Sequence, residues 1–76
     1  MLETIKEILT HYVDLPADEI RDDAKLVEEL NLTSFAVMGL MGELEEEFGI
    51  TVDETELTDI RTVEDIAAYV QKKQQE

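Results

Sequence analysis

The chain has no cysteine and no tryptophan, a single proline, and only six basic residues. Without cysteine there are no disulfides, no thiolate nucleophile and no thiolate metal site. No apolar run approaches the length of a membrane span. The first residues, Met1-Leu2-Glu3-Thr4, show neither a basic n-region nor an apolar core, so no signal peptide is expected. The reading that follows is a soluble cytoplasmic protein.

What is abundant is negative charge. Twenty acidic residues against six basic ones give a net charge of −14 over 76 residues. That field repels nucleic acid and anionic membrane and steers the molecule towards basic patches. Acidic chains poor in aromatics can be disordered, but here 43% of the residues are hydrophobic and they recur periodically. A folded domain that tolerates self-repulsion is expected. At this length one domain spanning residues 1–76 is expected, with a thin core: such chains bury only about 60% of their unfolded surface.

Ile5, Ile8, Leu9, Tyr12 and Val13 repeat at helical spacing and predict a first helix over residues 2–13. Pro16 ends it, because the residue before proline is pushed out of helical geometry. Residues 14–33 then form a long connection, with a helical turn expected at 17–20 and Leu15, Ile20, Leu26, Val27, Leu30 and Leu32 as anchors. Val37, Leu40, Met41, Leu44 and Phe48 predict a second helix over 34–48, stopped by Gly49. A brief third helix is expected at 55–60 with Leu57 and Ile60 inward. A fourth covers 62–73, started by Thr62 with Asp65 three residues on and buried through Val63, Ile66, Ala67 and Val70. The architecture is all-α: a small four-helix bundle with a long first loop and a short third helix.

Ser34 stands at the mouth of the second helix, in Leu30-Asn31-Leu32-Thr33-Ser34-Phe35. A hydroxyl there is displayed rather than buried, and a negative group attached to it would lie near free amides at the positive end of the helix dipole. Ser34 could also simply help to start the helix.

Taken together, these residues resemble the acyl carrier protein family over essentially the whole chain. The likeness includes the serine opening the second helix and Glu45-Glu46-Glu47-Phe48-Gly49-Ile50 closing it. Thr62-Val63-Glu64-Asp65-Ile66 and Tyr69 in the last helix complete it. The resemblance implies that Ser34 is esterified by 4′-phosphopantetheine, donated by coenzyme A through a phosphopantetheinyl transferase. The thiol of that arm would hold acyl intermediates as thioesters for acyl-transferring, condensing and tailoring enzymes of fatty acid, polyketide or related biosynthesis. It also implies an acyl pocket at Val37, Leu44, Val52, Leu57, Ile60 and Ile66. The family usually shows Asp-Ser-Leu where this chain has Thr33-Ser34-Phe35, and acids early in the second helix where this chain has Ala36 and Gly39.

On a helical wheel Phe35, Gly39, Gly42 and Glu46 lie opposite the core stripe. Two interior glycines each cost about 1 kcal/mol relative to alanine. The expectation is an apolar docking strip of Phe35, Met38, Gly39 and Gly42, rimmed by Glu45 and Glu46, with Thr33 capping the helix and contacting partners beside Ser34. The acids look solvated and a bundle this small offers no sheltered cleft, so a carrier and not an enzyme is expected. No stretch has the spacing of a calcium-binding loop, so no dedicated metal site is expected. Loose divalent binding by the helix acids or Asp22-Asp23 would relieve repulsion. His11 is expected to make a helix-end contact. A monomer follows. The alternative is an unmodified acidic adaptor that binds partners through the second helix.

Overall fold

In the computed structural model, which describes residues 1–76, the apolar repeat of the first residues forms helix α1, Leu2–Leu9. It buries Ile5, Ile8 and Leu9. The regular helix ends at Leu9, short of the expected residue 13. Residues 10–13 continue as tighter turns, in which the amides of His11 and Tyr12 donate to Ile8 and Leu9 at 3.0 and 2.9 Å.

The long connection is ordered. Ala17–Glu19 is a single 3-10 turn behind Pro16, and Asn31 takes the left-handed conformation at φ 58°. Ile20, Ala24, Leu26 and Leu32 are buried and pull the loop onto the helices. Leu15 and Val27 do not act as the expected anchors, since both are exposed. Backbone pairing fixes the loop's path: Leu26 N–H donates to the Arg61 carbonyl at 2.9 Å, while the amides of Val63 and Glu64 donate to Ala24 and Asp22 at 3.1 and 2.8 Å. The first amides of a helix have no partner within it. In the last helix the loop supplies them.

Helix α2 runs Ser34–Phe48, as the periodicity predicts. Thr33 Oγ1 accepts the Ala36 amide at 3.1 Å, and Gly49 closes the helix at φ 64°, a conformation open to glycine without steric penalty. Leu40, Met41 and Leu44 are buried, with Val37 and Phe48 half-buried beside them. The expected short third helix is a 3-10 helix, Glu54–Asp59, capped by Asp53, whose Oδ1 accepts the Thr55 amide at 2.9 Å. Leu57 and Ile60 face inward but are only half-buried.

Helix α3, Val63–Gln74, opens with a reciprocal cap. Thr62 Oγ1 accepts the Asp65 amide at 3.2 Å, and the Asp65 carboxylate accepts those of Arg61 and Thr62 at 3.0 and 3.1 Å. Those donors hold the Asp65 carboxyl below its ordinary range, the Arg61 amide contributing most. Val63, Ile66, Tyr69 and Val70 are buried, and Ala67 lies at the core's edge. The molecule measures 32 × 22 × 19 Å.

The two interior glycines of α2 turn out to be unlike each other. A Cβ on Gly42 would meet nothing within 4 Å, whereas one on Gly39 would stand 3.0 Å from the Tyr12 hydroxyl and 3.2 Å from its ring. Gly42→Ala should therefore stabilise the fold by about 0.5–1 kcal/mol through helix propensity. Gly39→Ala should gain nothing, because Tyr12 must retreat. Denaturant melts of the two variants check this, and equal gains would contradict the packing described.

Candidate functional site

Ser34 is the first residue of α2 and is exposed. Its neighbour Thr33 takes the capping role, which commits the Thr33 hydroxyl and leaves that of Ser34 displayed. The amides of Ser34 and Phe35 are the donors that neither the cap nor the helix uses. Unlike the start of α3, this helix mouth is not covered by the loop. No acid occupies the first turn of α2. A phosphodiester on Ser34 Oγ would thus meet open N–H groups, the positive end of a 15-residue helix and no carboxylate from the helix's own first turn. The residues present fit such a group.

Ser34 also stands on the lip of an apolar cleft of about 620 Å³, formed with Val27, Leu32, Val37, Met38 and Leu57 and edged by Thr33 and Glu54. The cleft lies between the end of the long loop, the start of α2 and the 3-10 helix. Of the residues expected to form an acyl pocket, Val37 and Leu57 line this cleft. Ile60 joins them in a smaller inner cleft, and Val52 lines a shallow depression beside Met41 and Gly42. Leu44 and Ile66 do not belong to any of these. Both are 0% exposed, locked in the core against α1 and α3. Val27 and Met38 are lining residues that the family resemblance does not assign to the pocket.

The docking strip is modified in the same way. Phe35 is 87% exposed and Met38 66%, an apolar pair immediately beside Ser34. Gly42 is open and Glu46 exposed, both as expected. Gly39 is exposed as well, and its missing side chain makes room for Tyr12. Glu45 is not a free rim charge either, because its Oε2 accepts the Val52 amide at 2.8 Å and ties the interhelical linker to α2.

Tyr12 explains a residue that went unassigned in the sequence. Its hydroxyl donates to Glu43 Oε2, and His11 Nδ1 lies 2.8 Å from Glu43 Oε1. His11 therefore makes an inter-helix contact and not the expected helix-end one. Glu43 is the hub of a bracket joining the end of α1 to the middle of α2. The Tyr12 hydrogen bond, with a smaller contribution from His11, holds the Glu43 carboxyl below its ordinary range. The same bond, aided by burial, pushes the Tyr12 hydroxyl up to about 12. A carboxylate with a lowered folded pKa contributes stability above its unfolded value, about 4.3, and that contribution fades as pH falls through the folded value. Wild type should accordingly exceed Glu43→Gln in stability at pH 6, with the gap closing below about pH 4. Denaturant melts over that range test it; a gap independent of pH would contradict the bracket.

A second bracket holds the 3-10 helix. The Tyr69 hydroxyl accepts the Asp53 amide at 3.0 Å and donates to Glu56 Oε1 at 2.8 Å, and Lys73 Nζ reaches the same oxygen at 3.2 Å. Tyr69 and Lys73, in that order, lower the Glu56 carboxyl. Leu57, which walls the cleft, sits within the segment so fastened.

Comparison with known proteins agrees with this geometry. Residues 3–70 match the family model described as "Phosphopantetheine attachment site". The acyl carrier protein of Nitratidesulfovibrio vulgaris (strain Miyazaki F) is 35% identical over 72 residues, covering 95% of both chains. That of Thermotoga maritima is 33% identical over 69 residues, covering 91% of this chain and 85% of the relative. A solved structure of acyl carrier protein from Enterococcus faecalis superposes with a TM-score of 0.80 at 29% identity, over 95% of this chain and 91% of that one.

Proposed function

The chain belongs to the acyl carrier protein family, with a phosphopantetheine-attachment fold, and from that premise we propose that Ser34 is the residue esterified by 4′-phosphopantetheine. The observation that carries the proposal is the division of labour at the mouth of α2. Thr33 supplies the cap, while Ser34 stands exposed beside two unused amides on the lip of an apolar cleft. When bound, the group supplies a thiol on which acyl chains are held as thioesters. The protein's own residues orient the arm and shelter its cargo; they carry the acyl group and do not transform it.

The arm converts delivery to each enzyme into a tethered event, and so raises the effective concentration of the cargo at an active site. The partners of this reading are a phosphopantetheinyl transferase and acyl-transferring, condensing or tailoring enzymes with basic patches. They meet a docking strip of Phe35, Met38 and Gly42 with Glu46 as its charged edge. The charge of −14 steers those encounters, so association slows as salt is added. The 76 residues act as one monomeric carrier unit in the cytoplasm; no helix is long and apolar enough to cross a membrane.

Incubation with coenzyme A and several phosphopantetheinyl transferases tests the assignment. Intact mass should show gain of one arm per chain in the wild type and none in Ser34→Ala. Failure of every transferase to modify the wild type would favour the unmodified adaptor instead.

A further inference from the structure

The cleft beside Ser34 adjoins a smaller one, with Val27, Val37 and Leu57 as walls common to both. The smaller cleft measures about 90 Å³ and is also lined by Leu26, Met41, Ile60, Glu28 and Arg61. An apolar cavity of about 150 Å³ holds the six carbons of benzene, so this one accommodates roughly four. Leu44 and Ile66, both 0% exposed, line neither cleft. A chain that passed from the first cleft into the second would have room there for only a few carbons, with Arg61 among its walls.

Lys6, Arg21 and Lys73 each have a carboxylate within 4.0 Å, whereas Lys25, Arg61 and Lys72 have none; of those three only Arg61 lines either cleft. Its backbone is pinned at the junction of the 3-10 helix and α3: the amide donates to Asp65 Oδ2 at 3.0 Å and the carbonyl accepts from Leu26 at 2.9 Å. A pinned backbone, a fork of donors with no carboxylate within 4.0 Å and a largely apolar cleft beside it fit bidentate recognition of a carboxylate.

We propose that Arg61 is a specificity-determining residue for cargo, recognising the distal carboxylate of a short acyl group whose methylenes fill the cleft between Val27, Val37 and Leu57. This rests on Ser34 carrying the arm. Glu28 lines the same smaller cleft and repels such a terminus, so it sets an upper limit on the preference.

The test compares two six-carbon cargoes, adipoyl and hexanoyl, loaded from their coenzyme A thioesters by a transferase that accepts acylated donors. Thioester cleavage by hydroxylamine is followed by intact mass, with each rate divided by that of the free coenzyme A thioester. On the wild type the adipoyl group should be cleaved about three- to fivefold more slowly than hexanoyl, the size expected of a solvent-exposed ion pair. Arg61→Gln should bring the two rates together without changing hexanoyl, and Glu28→Gln should widen the difference. Equal protection of both cargoes on the wild type, or a preference that survives Arg61→Gln, overturns the assignment of Arg61. If neither cargo loads although the coenzyme A thioesters are intact, the Ser34 reading itself fails and this inference falls with it.

Discussion

Leu44→Ala is expected to destabilise the protein by about 2–5 kcal/mol, the range for emptying a fully buried leucine site. Native domains have roughly 0.05–0.15 kcal/mol of stability per residue, which for a chain of this length is about 4–11 kcal/mol in total. The variant should therefore lose a large fraction of its stability and melt more than about 10 °C below the wild type. The same prediction decides what Leu44 is for. A leucine that merely walled a cargo pocket would tolerate truncation and admit longer chains. Here Leu44 is sealed with Leu40, Ile66 and Val70, all fully buried. Leu15→Ala, at an exposed site, serves as the control and should change stability by less than about 0.5 kcal/mol. A Leu44→Ala melt indistinguishable from that control would contradict the closed core.

Phe35→Ala should do the opposite: leave the fold intact and damage delivery. At 87% exposure the ring contributes little to the folded chain, yet it is displayed one residue from Ser34. Burying a phenylalanine at an interface gains about 1.5–3 kcal/mol, and each 1.4 kcal/mol is a factor of ten. We expect kcat/KM for arm transfer or acyl transfer to fall by about tenfold or more, with the melting temperature unchanged. Salt separates this from the charged contacts. A defect in apolar contact persists when ionic strength is raised, whereas a Glu46→Gln defect shrinks as screening takes over. If Phe35→Ala transfers normally with every cognate enzyme, the apolar strip has no role in docking.

Much of this architecture was legible in the chain because local signals agreed with one another. Helix α2 begins after Thr33 and stops at Gly49, as its apolar repeat and terminal glycine require. The Thr62–Asp65 box opens α3, and the turn after Pro16 falls where expected. What could not be read were contacts between segments distant in sequence. A wheel places Gly39 on the outer arc of α2, but it does not reveal that Tyr12, carried by the tight turns after α1, lies over that glycine. Glu45 looks free on the same wheel, yet the returning linker brings the Val52 amide to it. The family resemblance assigns Leu44 and Ile66 to the pocket, and the packing of the core leaves both fully buried. Arg61 had no periodic signal; that it lines the smaller cleft shows only in the structure.

The family assignment has the same character. Thr33-Ser34-Phe35 replaces the acid and leucine that the family usually places around its serine, and the structure accommodates the change. Thr33 caps the helix through its hydroxyl, so the cap is retained without a carboxylate at that position. Phe35 projects outward, exposed beside Ser34. On the proposed reading, recognition at the mouth of α2 shifts from charge towards apolar contact.

The most direct measurement is fragmentation mass spectrometry of the protein purified from its native host, with the modified peptide mapped to a single residue. The account predicts one 4′-phosphopantetheine, with or without an acyl group, on Ser34 and on no other hydroxyl. Finding the arm on Thr33 or another residue, or finding Ser34 bare while the protein is active in its pathway, would contradict it.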